Sequence, residues 1–301
     1  MSWLLMSLIG AAVMGVASIS DKVVIHRYIK TPFTLILLVG MAQTVVGIVS
    51  LCIAGIPSEV TVATSISAIS SGVLFSFSAI IFLKILYTQE VSRTIPITQS
   101  APIFAALLAF LILDESISVL QWGGIIIAVL GSALLSIRTD GDIHGLFLHK
   151  SFYFLMFSAF LLGAANVVGK LALEELPLLY THGLRMLTLG LIFLCFASKS
   201  ESWIDVKSLF SKRSPALLFI IINECITAQV GLITLLWSLS MGPVSLVSAV
   251  VGTRSLFTVL YSMGITKLWS GALGEETSTG SIITKLFSTL LIVAGIAAIA
   301  I

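Results

Sequence analysis

Charge is scarce in this chain. Only 10% of its 301 residues are charged, whereas a soluble domain is usually about a quarter charged. The 16 basic residues barely exceed the 14 acidic ones, so the chain lacks the basic excess that sequence-independent nucleic-acid binding needs. These figures argue against an ordinary soluble enzyme, and we expect no nucleic-acid partner.

Cysteine is equally scarce. The three cysteines are odd in number, lie inside apolar runs and show no CxxC or Cys/His spacing. We expect them to be small buried apolar side chains. They are Cys52, Cys195 and Cys225.

Motifs for metals, nucleotides and catalysis are missing too. The four histidines are too scattered for a metal cluster, and we expect them at surface or interfacial positions; they are His26, His144, His149 and His182. The glycines match neither the P-loop nor the dinucleotide fingerprint. The sequence therefore predicts no metal, no cofactor and no enzymatic activity.

Long apolar runs are abundant instead, since 58% of the residues are hydrophobic. Each bilayer crossing takes about 20 apolar residues, so roughly ten spans would use up the chain. The first run begins without a basic segment before it, which favours a retained helix over a cleaved signal. The candidate spans are Ser2–Ser20, Phe33–Ile56, Ser65–Tyr87, Val91–Leu113, Ser118–Ile137, Phe152–Leu173, Leu178–Ala197, Ala216–Ser240, Val244–Trp269 and Thr279–Ile301. We expect charged connections at Arg138–Lys150 and Lys199–Arg213.

The two halves of the chain resemble each other. Gly15–Lys22 aligns with Gly163–Lys170. Val91-Ser92 aligns with Val244-Ser245, and Pro32 with Pro177. Five duplicated helices are an odd number, so the halves must run through the membrane in opposite directions. The predicted fold is an all-α integral membrane protein of ten transmembrane helices in two inverted five-helix repeats, residues 1–137 and 152–301, joined by a loop at 138–151.

Nearly the whole chain resembles a known family. The segments Gln99–Glu115, Gln121–Gly124 and Leu130-Gly131, together with Asn166 and Lys170, are similar to the pattern of the EamA group in the drug/metabolite transporter superfamily. The resemblance implies a carrier of small metabolites, often an exporter, with a central cavity between the halves. It does not fix which metabolite.

Ionisable residues inside the spans are the first candidates for function. Each costs roughly 2.5 to 3.5 kcal/mol at mid-membrane on insertion scales unless it is paired or hydrated. Glu224 and Arg254 are predicted to face a cavity, and we hypothesise that Glu224 is the coupling or substrate-orienting charge, which Arg254 holds ionised. Arg185 is a candidate for coupling or for structural anchoring. Protons are the candidate coupling ion.

Uncharged polar residues extend this set. Both halves place polar groups at corresponding depths, because Asn223, Glu224 and Gln229 align with three serines of the first half. A shared internal cavity and interhelical hydrogen bonding are the two interpretations. The predicted substrate-binding residues are Gln99, Asn166, Asn223, Glu224, Gln229 and Arg254.

These features favour a secondary transporter of a small polar or amphipathic metabolite, working by alternating access, with an amino-acid or related metabolite exporter preferred. Alternatives are a lipid-handling, flippase-like protein, a drug efflux carrier, a membrane enzyme acting on lipid, and a scaffold or sensor. The expected location is the cell membrane, and the expected partners are a small-molecule substrate and membrane lipid. We expect a monomer or a homodimer.

Ten spans place both termini on one side of the membrane. The connections after odd-numbered spans, counted with the span ends beside them and so including Lys84 and Lys285, hold 13 of the 16 Lys and Arg residues. This favours termini outside, whereas the family resemblance implies termini inside. Either way, we expect a membrane-impermeant reagent to label tags at both termini from the same face of sealed vesicles. Labelling from opposite faces would mean an odd number of spans.

Overall fold

A computed structural model describes residues 2–29, 31–57, 60, 62–88, 97–98, 100–135, 150–258, 260–261 and 279–300. Within these ranges the regular structure is helical, with no strand. The helices are α1 Trp3–Arg27, α2 Pro32–Ala54, α3 Val62–Thr88, α4 Ala101–Ile112, α5 Val119–Leu135, α6 Lys150–Glu175, α7 Leu178–Ala197, α8 Ser200–Ser211, α9 Pro215–Met241, α10 Val244–Val251 and α11 Thr279–Ala300.

Six of these helices are long and apolar enough to cross a membrane, namely α1, α2, α3, α6, α7 and α9. Shorter apolar helices occupy Ala101–Ile112, Val119–Gly131, Val244–Thr258 and Leu290–Ile299. The all-helical membrane class is therefore confirmed. The ten-helix inverted repeat stays a prediction, because eleven helices are present in the described residues.

Helix α8 corrects the sequence analysis. Lys199–Arg213 was expected to be a charged connection, but α8 lies within it. Ser202 and Val206, one turn apart, are buried, and Trp203 and Ile204 are exposed. The helix forms because these two residues pack on the core at helical spacing. The other charged connection falls largely outside the described residues.

Helices of the two halves pack in pairs. Extensive contacts join α3 to α7 and α4 to α6. A further set of five pairs joins α2 to α7, α3 to α6, α1 to α9, α4 to α10 and α5 to α11. The helices α1 to α5 of the first half correspond in order to α6, α7, α9, α10 and α11 of the second. When every helix is replaced by its counterpart in the other half, this set of five pairs stays the same. The pairing therefore has the two-fold character that a duplicated bundle requires.

Small residues let α2 and α7 approach closely. A methyl group at Gly47 would overlap the backbone of Leu187, and one at Gly190 would overlap the backbone of Thr44. Glycine at such positions permits contact between transmembrane helices that any larger residue would prevent. Gly123 in α5 differs, since nothing lies within 4 Å of the position of its missing Cβ.

Polar contacts define the two ends of the bundle. At the terminal end, near the start of α1, Glu115 caps α10 by accepting from the backbone N of Val244 at 2.5 Å and from Ser245 Oγ at 2.6 Å. At the far end, Lys199 Nζ lies 3.9 Å from the centre of the Phe33 ring. At the terminal end, the connection between α4 and α5 of the first half is thus hydrogen-bonded to α10 of the second half.

The cysteines correct another expectation. Cys52 and Cys195 are exposed and Cys225 is half-buried, and all three are free thiols. Cys52 shares the outer surface of α2 with exposed apolar side chains, among them Val45 and Ile48. An apolar side chain needs no burial inside the protein where the surrounding solvent is lipid.

We predict that Gly47→Ala destabilises the protein while Gly123→Ala does not. Overpacking a close contact typically costs about 1 to 3 kcal/mol, whereas alanine in an open helical position is about 1 kcal/mol better than glycine. Thermal unfolding of the two purified variants measures the difference. Equal melting temperatures would contradict the close α2–α7 contact.

Candidate functional site: a buried polar chain across four helices

A π-helical turn interrupts α9 at Asn223–Thr227. Asn223 and Glu224, which are adjacent in sequence, are both buried there. Adjacent residues in an α-helix point about 100° apart, since a turn takes 3.6 residues. Single π turns widen a helix locally and are frequent at functional sites. This turn brings an amide and a carboxyl group together inside the bundle.

The Asn223 amide joins two acidic side chains. Its Nδ2 donates to Asp21 Oδ1 at 2.7 Å and to Glu224 Oε1 at 3.1 Å. We call Asp21 and Glu224 the carboxyl pair. Two ionised carboxylates that share one donor nitrogen repel each other, and a proton on either one removes that repulsion.

Two glutamines continue the hydrogen bonding away from this pair. Gln43 of α2 donates Nε2 to Glu224 Oε2 at 2.8 Å. Gln229, further along α9, donates Nε2 to Gln43 Oε1 at 2.9 Å. Both glutamines are buried, so their amides have protein partners in place of water.

His182 of α7 lies at the other end of this hydrogen bonding. Its Nε2 lies 3.0 Å from Gln229 Oε1. An amide oxygen only accepts, so Nε2 is the donor. The side chain is fully buried, which corrects the expectation of a surface or interfacial histidine. A continuous set of hydrogen bonds, the polar chain, thus consists of Asp21, Asn223, Glu224, Gln43, Gln229 and His182.

Arg254, just after α10, lies beside the carboxyl pair. Its Nε donates to Ser18 Oγ of α1 at 2.7 Å. Its charge interacts with both Asp21 and Glu224. The sequence analysis paired Arg254 with Glu224 alone. In the structure Arg254 interacts with Asp21 as well, and its hydrogen bond to Ser18 is made to α1, the helix that carries Asp21.

Two further predicted residues lie apart from the polar chain. Asn166 of α6 donates Nδ2 to Ser248 Oγ of α10 at 3.4 Å. Arg185 of α7 is buried, and its guanidinium carbon lies 5.5 Å from the centre of the Phe75 ring. Both side chains face helices of the bundle interior.

The structure thus brings Asn223, Glu224 and Gln229 into one chain with Arg254 beside it. Gln99 lies outside the described residues. That the predicted set binds substrate stays a prediction. Within the described residues, no group of three or more His, Cys, Asp or Glu side chains is placed to hold a metal.

Sequence reasoning missed Asp21, Gln43 and His182. Gln43 carried a usable signal, since it is a polar residue in the middle of an apolar span, as Gln229 is. Asp21 follows the first apolar run and was assigned to its end, but α1 continues to Arg27. His182 stands in the first turns of α7, where a histidine is ordinarily interfacial.

This architecture defines a polytopic helical membrane protein with a polar interior. Residues 1–137 match the model of the EamA-like transporter family, which confirms the resemblance of this part of the chain to the drug/metabolite transporter superfamily. No curated protein matches the chain. One solved structure, described only as the crystal structure of a protein, has a TM-score of 0.71 and 14% identity, covering 99% of this chain and 98% of its own. At that identity the likeness shows the fold alone.

We predict that Gln43→Leu lowers stability markedly. The change removes the donor to Glu224 and the acceptor for Gln229, and each buried polar group left unsatisfied costs about 1 to 3 kcal/mol. Thermal unfolding in detergent measures the effect, with Val45→Leu on the exposed face of the same helix as control. A melting temperature equal to that of the control would show that the Gln43 hydrogen bonds are not formed.

Proposed function

We propose that the protein is a secondary transporter that moves a small polar or amphipathic metabolite by alternating access, with export of an amino acid or related metabolite preferred. The polar chain is the observation that carries this proposal. Buried polar groups in a bilayer are costly and commonly mark solute or ion pathways. These groups come from α1 and α2 in one half and from α7 and α9 in the other.

An inverted repeat supports the mechanism. The helix pairs survive exchange of the halves, and a half with five spans must be inverted relative to its partner. The family match at 1–137 has the bounds of the proposed first repeat, with 138–151 as the connection and 152–301 as the second repeat. In this proposal α8 lies outside the ten spans.

In this proposal, movement of one half relative to the other acts on the site at the interface between the two halves. Gln43 in the first half bonds Glu224 and Gln229 in the second. Rocking one half against the other has to lengthen or break these bonds. A solute that binds one arrangement better shifts the population toward it. We assign substrate binding to Gln99, Asn166, Asn223, Glu224, Gln229 and Arg254.

Protons are the proposed coupling ion, with the carboxyl pair as their site. The groups that face the pair are Asn223 from α9 itself, Gln43 from α2 and Arg254 beyond α10. When Arg254 is charged and the carboxyl pair holds one proton, the net charge of Asp21, Glu224 and Arg254 together is zero. Loss of that proton leaves the three residues with one net negative charge. Proton exchange therefore changes the electrostatic balance between α1 and α9.

The proposed location is the cell membrane, with one or two copies of the chain in the assembly and membrane lipid around its apolar outer surface. Exposed side chains on that surface include Phe110, Phe154 and Leu290.

Thiol accessibility tests the proposed site. In a background without the native cysteines, we expect cysteine at Asn166, Asn223 or Gln229 to react with a water-soluble reagent faster than cysteine at Ile126 or Leu290. The latter two are exposed on the apolar outer surface. A transported solute should slow reaction at the three interior positions. Reactivity equal to that of the outer positions would assign these polar groups to helix packing alone.

We predict that Glu224→Gln abolishes the dependence of solute accumulation on a pH gradient in proteoliposomes. The amide keeps the shape of the carboxyl and one of its two acceptor oxygens but cannot exchange a proton, so solute exchange without a gradient should persist. Asp21→Asn should have the same effect, because the two acids act as one proton site. Asp205→Asn is the control, since Asp205 accepts from Thr34 at the far end. An unchanged pH response in both variants would remove the pair from coupling.

A further inference from the structure

Arg185 is a buried cation without an acidic partner. Its side chain is 2% exposed, its Nε is buried with no hydrogen-bond partner, and the contact described for the guanidinium is with the Phe75 ring. In the described part of the chain no carboxylate lies close enough to offset its burial. Arginine stays protonated in proteins, so a buried guanidinium needs an anion or strong acceptors.

The backbone of α6 packs closely against this guanidinium at Gly169. A Cβ at Gly169 would stand 3.4 Å from a terminal nitrogen of Arg185 and 3.1 Å from Ser71 Oγ. Ser71 itself already donates to the Ala165 carbonyl. Glycine at position 169 therefore lets α6 approach the guanidinium, and a side chain there would crowd both Arg185 and Ser71.

Other polar atoms around this position also have no partner. Thr181 Oγ1 and His182 Nδ1 are buried and unsatisfied, and both lie one turn before Arg185 on the same face of α7. Asn166 Oδ1 is buried and unsatisfied as well, one turn before Gly169 on α6. Buried polar atoms nearly always have partners, so these unpartnered atoms on α6 and α7 are candidates to bind a polar ligand together with Arg185.

The chemistry of these atoms selects the molecule. Arg185 supplies a positive charge and N–H donors in a planar fork, which suits a carboxylate or phosphate. His182 Nδ1 is an acceptor, since Nε2 donates to Gln229, and Asn166 Oδ1 is a second acceptor. Such a set suits a solute that carries an oxyanion and at least one N–H or O–H donor.

We propose that Arg185 binds the oxyanion group, carboxylate or phosphate, of the transported solute. The inference rests on the proposed transport function and deepens it by naming the substrate class. His182 belongs to both regions, so the solute would lie at one end of the polar chain whose other end is the carboxyl pair. Solute binding and proton exchange are thereby connected through Gln229, Gln43 and Glu224.

Matched solute pairs test the proposal on the purified protein. We compare leucine with leucinamide and succinate with succinamide, and add inorganic phosphate, measuring the change in melting temperature and the Kd. At least one anionic probe should bind, and its neutral or cationic amide should not. Binding by a carboxylate but not phosphate, or the reverse, identifies the oxyanion.

Variants locate the site. Arg185→Gln should weaken anion binding by roughly 10- to 100-fold, the contribution of a charge-assisted hydrogen bond, and Arg185→Lys by less. Arg213→Gln, at an exposed arginine, should leave the Kd unchanged. An Arg185→Gln protein that folds and binds the anion with the wild-type Kd would overturn the proposal.

A second variant decides the matter if Arg185→Gln fails to fold. Gly169→Ala keeps the charge but crowds the space beside the guanidinium, and should also weaken anion binding, whereas Gly123→Ala faces open space and should not. An unchanged Kd in Gly169→Ala would overturn the proposal.

Flux measurements separate this inference from the transport function. If proteoliposomes move only neutral or cationic solutes, and Arg185→Gln moves them equally well, the anion site is wrong and transport stands. If wild-type protein moves none of a panel of amino acids, organic acids, sugars and lipophilic cations, the proposed function itself fails.

Discussion

A single amide nitrogen joins acidic side chains of two helices inside this bundle. Asn223 Nδ2 lies between carboxyl oxygens of α1 and α9, inside a protein whose outer surface is apolar. Lipid supplies no hydrogen bonds, so each polar group in the bundle must find its partner within the protein. The Asn223 contact satisfies two acids at once and starts the polar chain that continues through both glutamines to α7.

This constraint links packing to function. Glycine permits the close contact of α2 with α7, and on the same α2 Gln43 reaches Glu224 and Gln229 of α9. The same α7 carries His182 and Arg185, one turn apart. A bundle held together at its centre by polar bonds between its halves can rearrange by exchanging those bonds, whereas a close-packed apolar interface resists sliding. The polar chain thus connects the two halves of the bundle and is also the proposed site at which proton exchange is coupled to their movement.

Much of the architecture could be predicted because apolar length is a strong signal in a membrane protein. Leu178–Ala197 is the clearest case, since the predicted span and α7 have the same bounds. The signal fails for α8, whose charged residues conceal a short amphipathic pattern. It also fails for the cysteines, because an apolar run does not tell which side faces lipid.

The sequence indicated which types of residue form the candidate site, but it indicated much less about which residues are hydrogen-bonded to each other. Glu224, Asn223 and Gln229 stood out as polar groups within an apolar span. Their connection to Asp21, which is 202 residues from Asn223 in sequence, depends on the tertiary pairing of α1 with α9. The π turn that places adjacent residues 223 and 224 inside the bundle has no signal in the sequence that we could identify.

The most direct test of the account is a pair of electron-spin distance measurements across the two ends of the bundle. Labels at Val119 and Pro177 report on the terminal end, and labels at Tyr87 and Lys212 on the far end; all four residues are exposed. If protonation of the carboxyl pair drives alternating access, moving from alkaline to acidic pH should change the two distances in opposite directions. The same response should vanish when Asp21 and Glu224 are both replaced by their amides. Distances that stay constant with pH, or that change equally in the doubly substituted protein, would contradict the account.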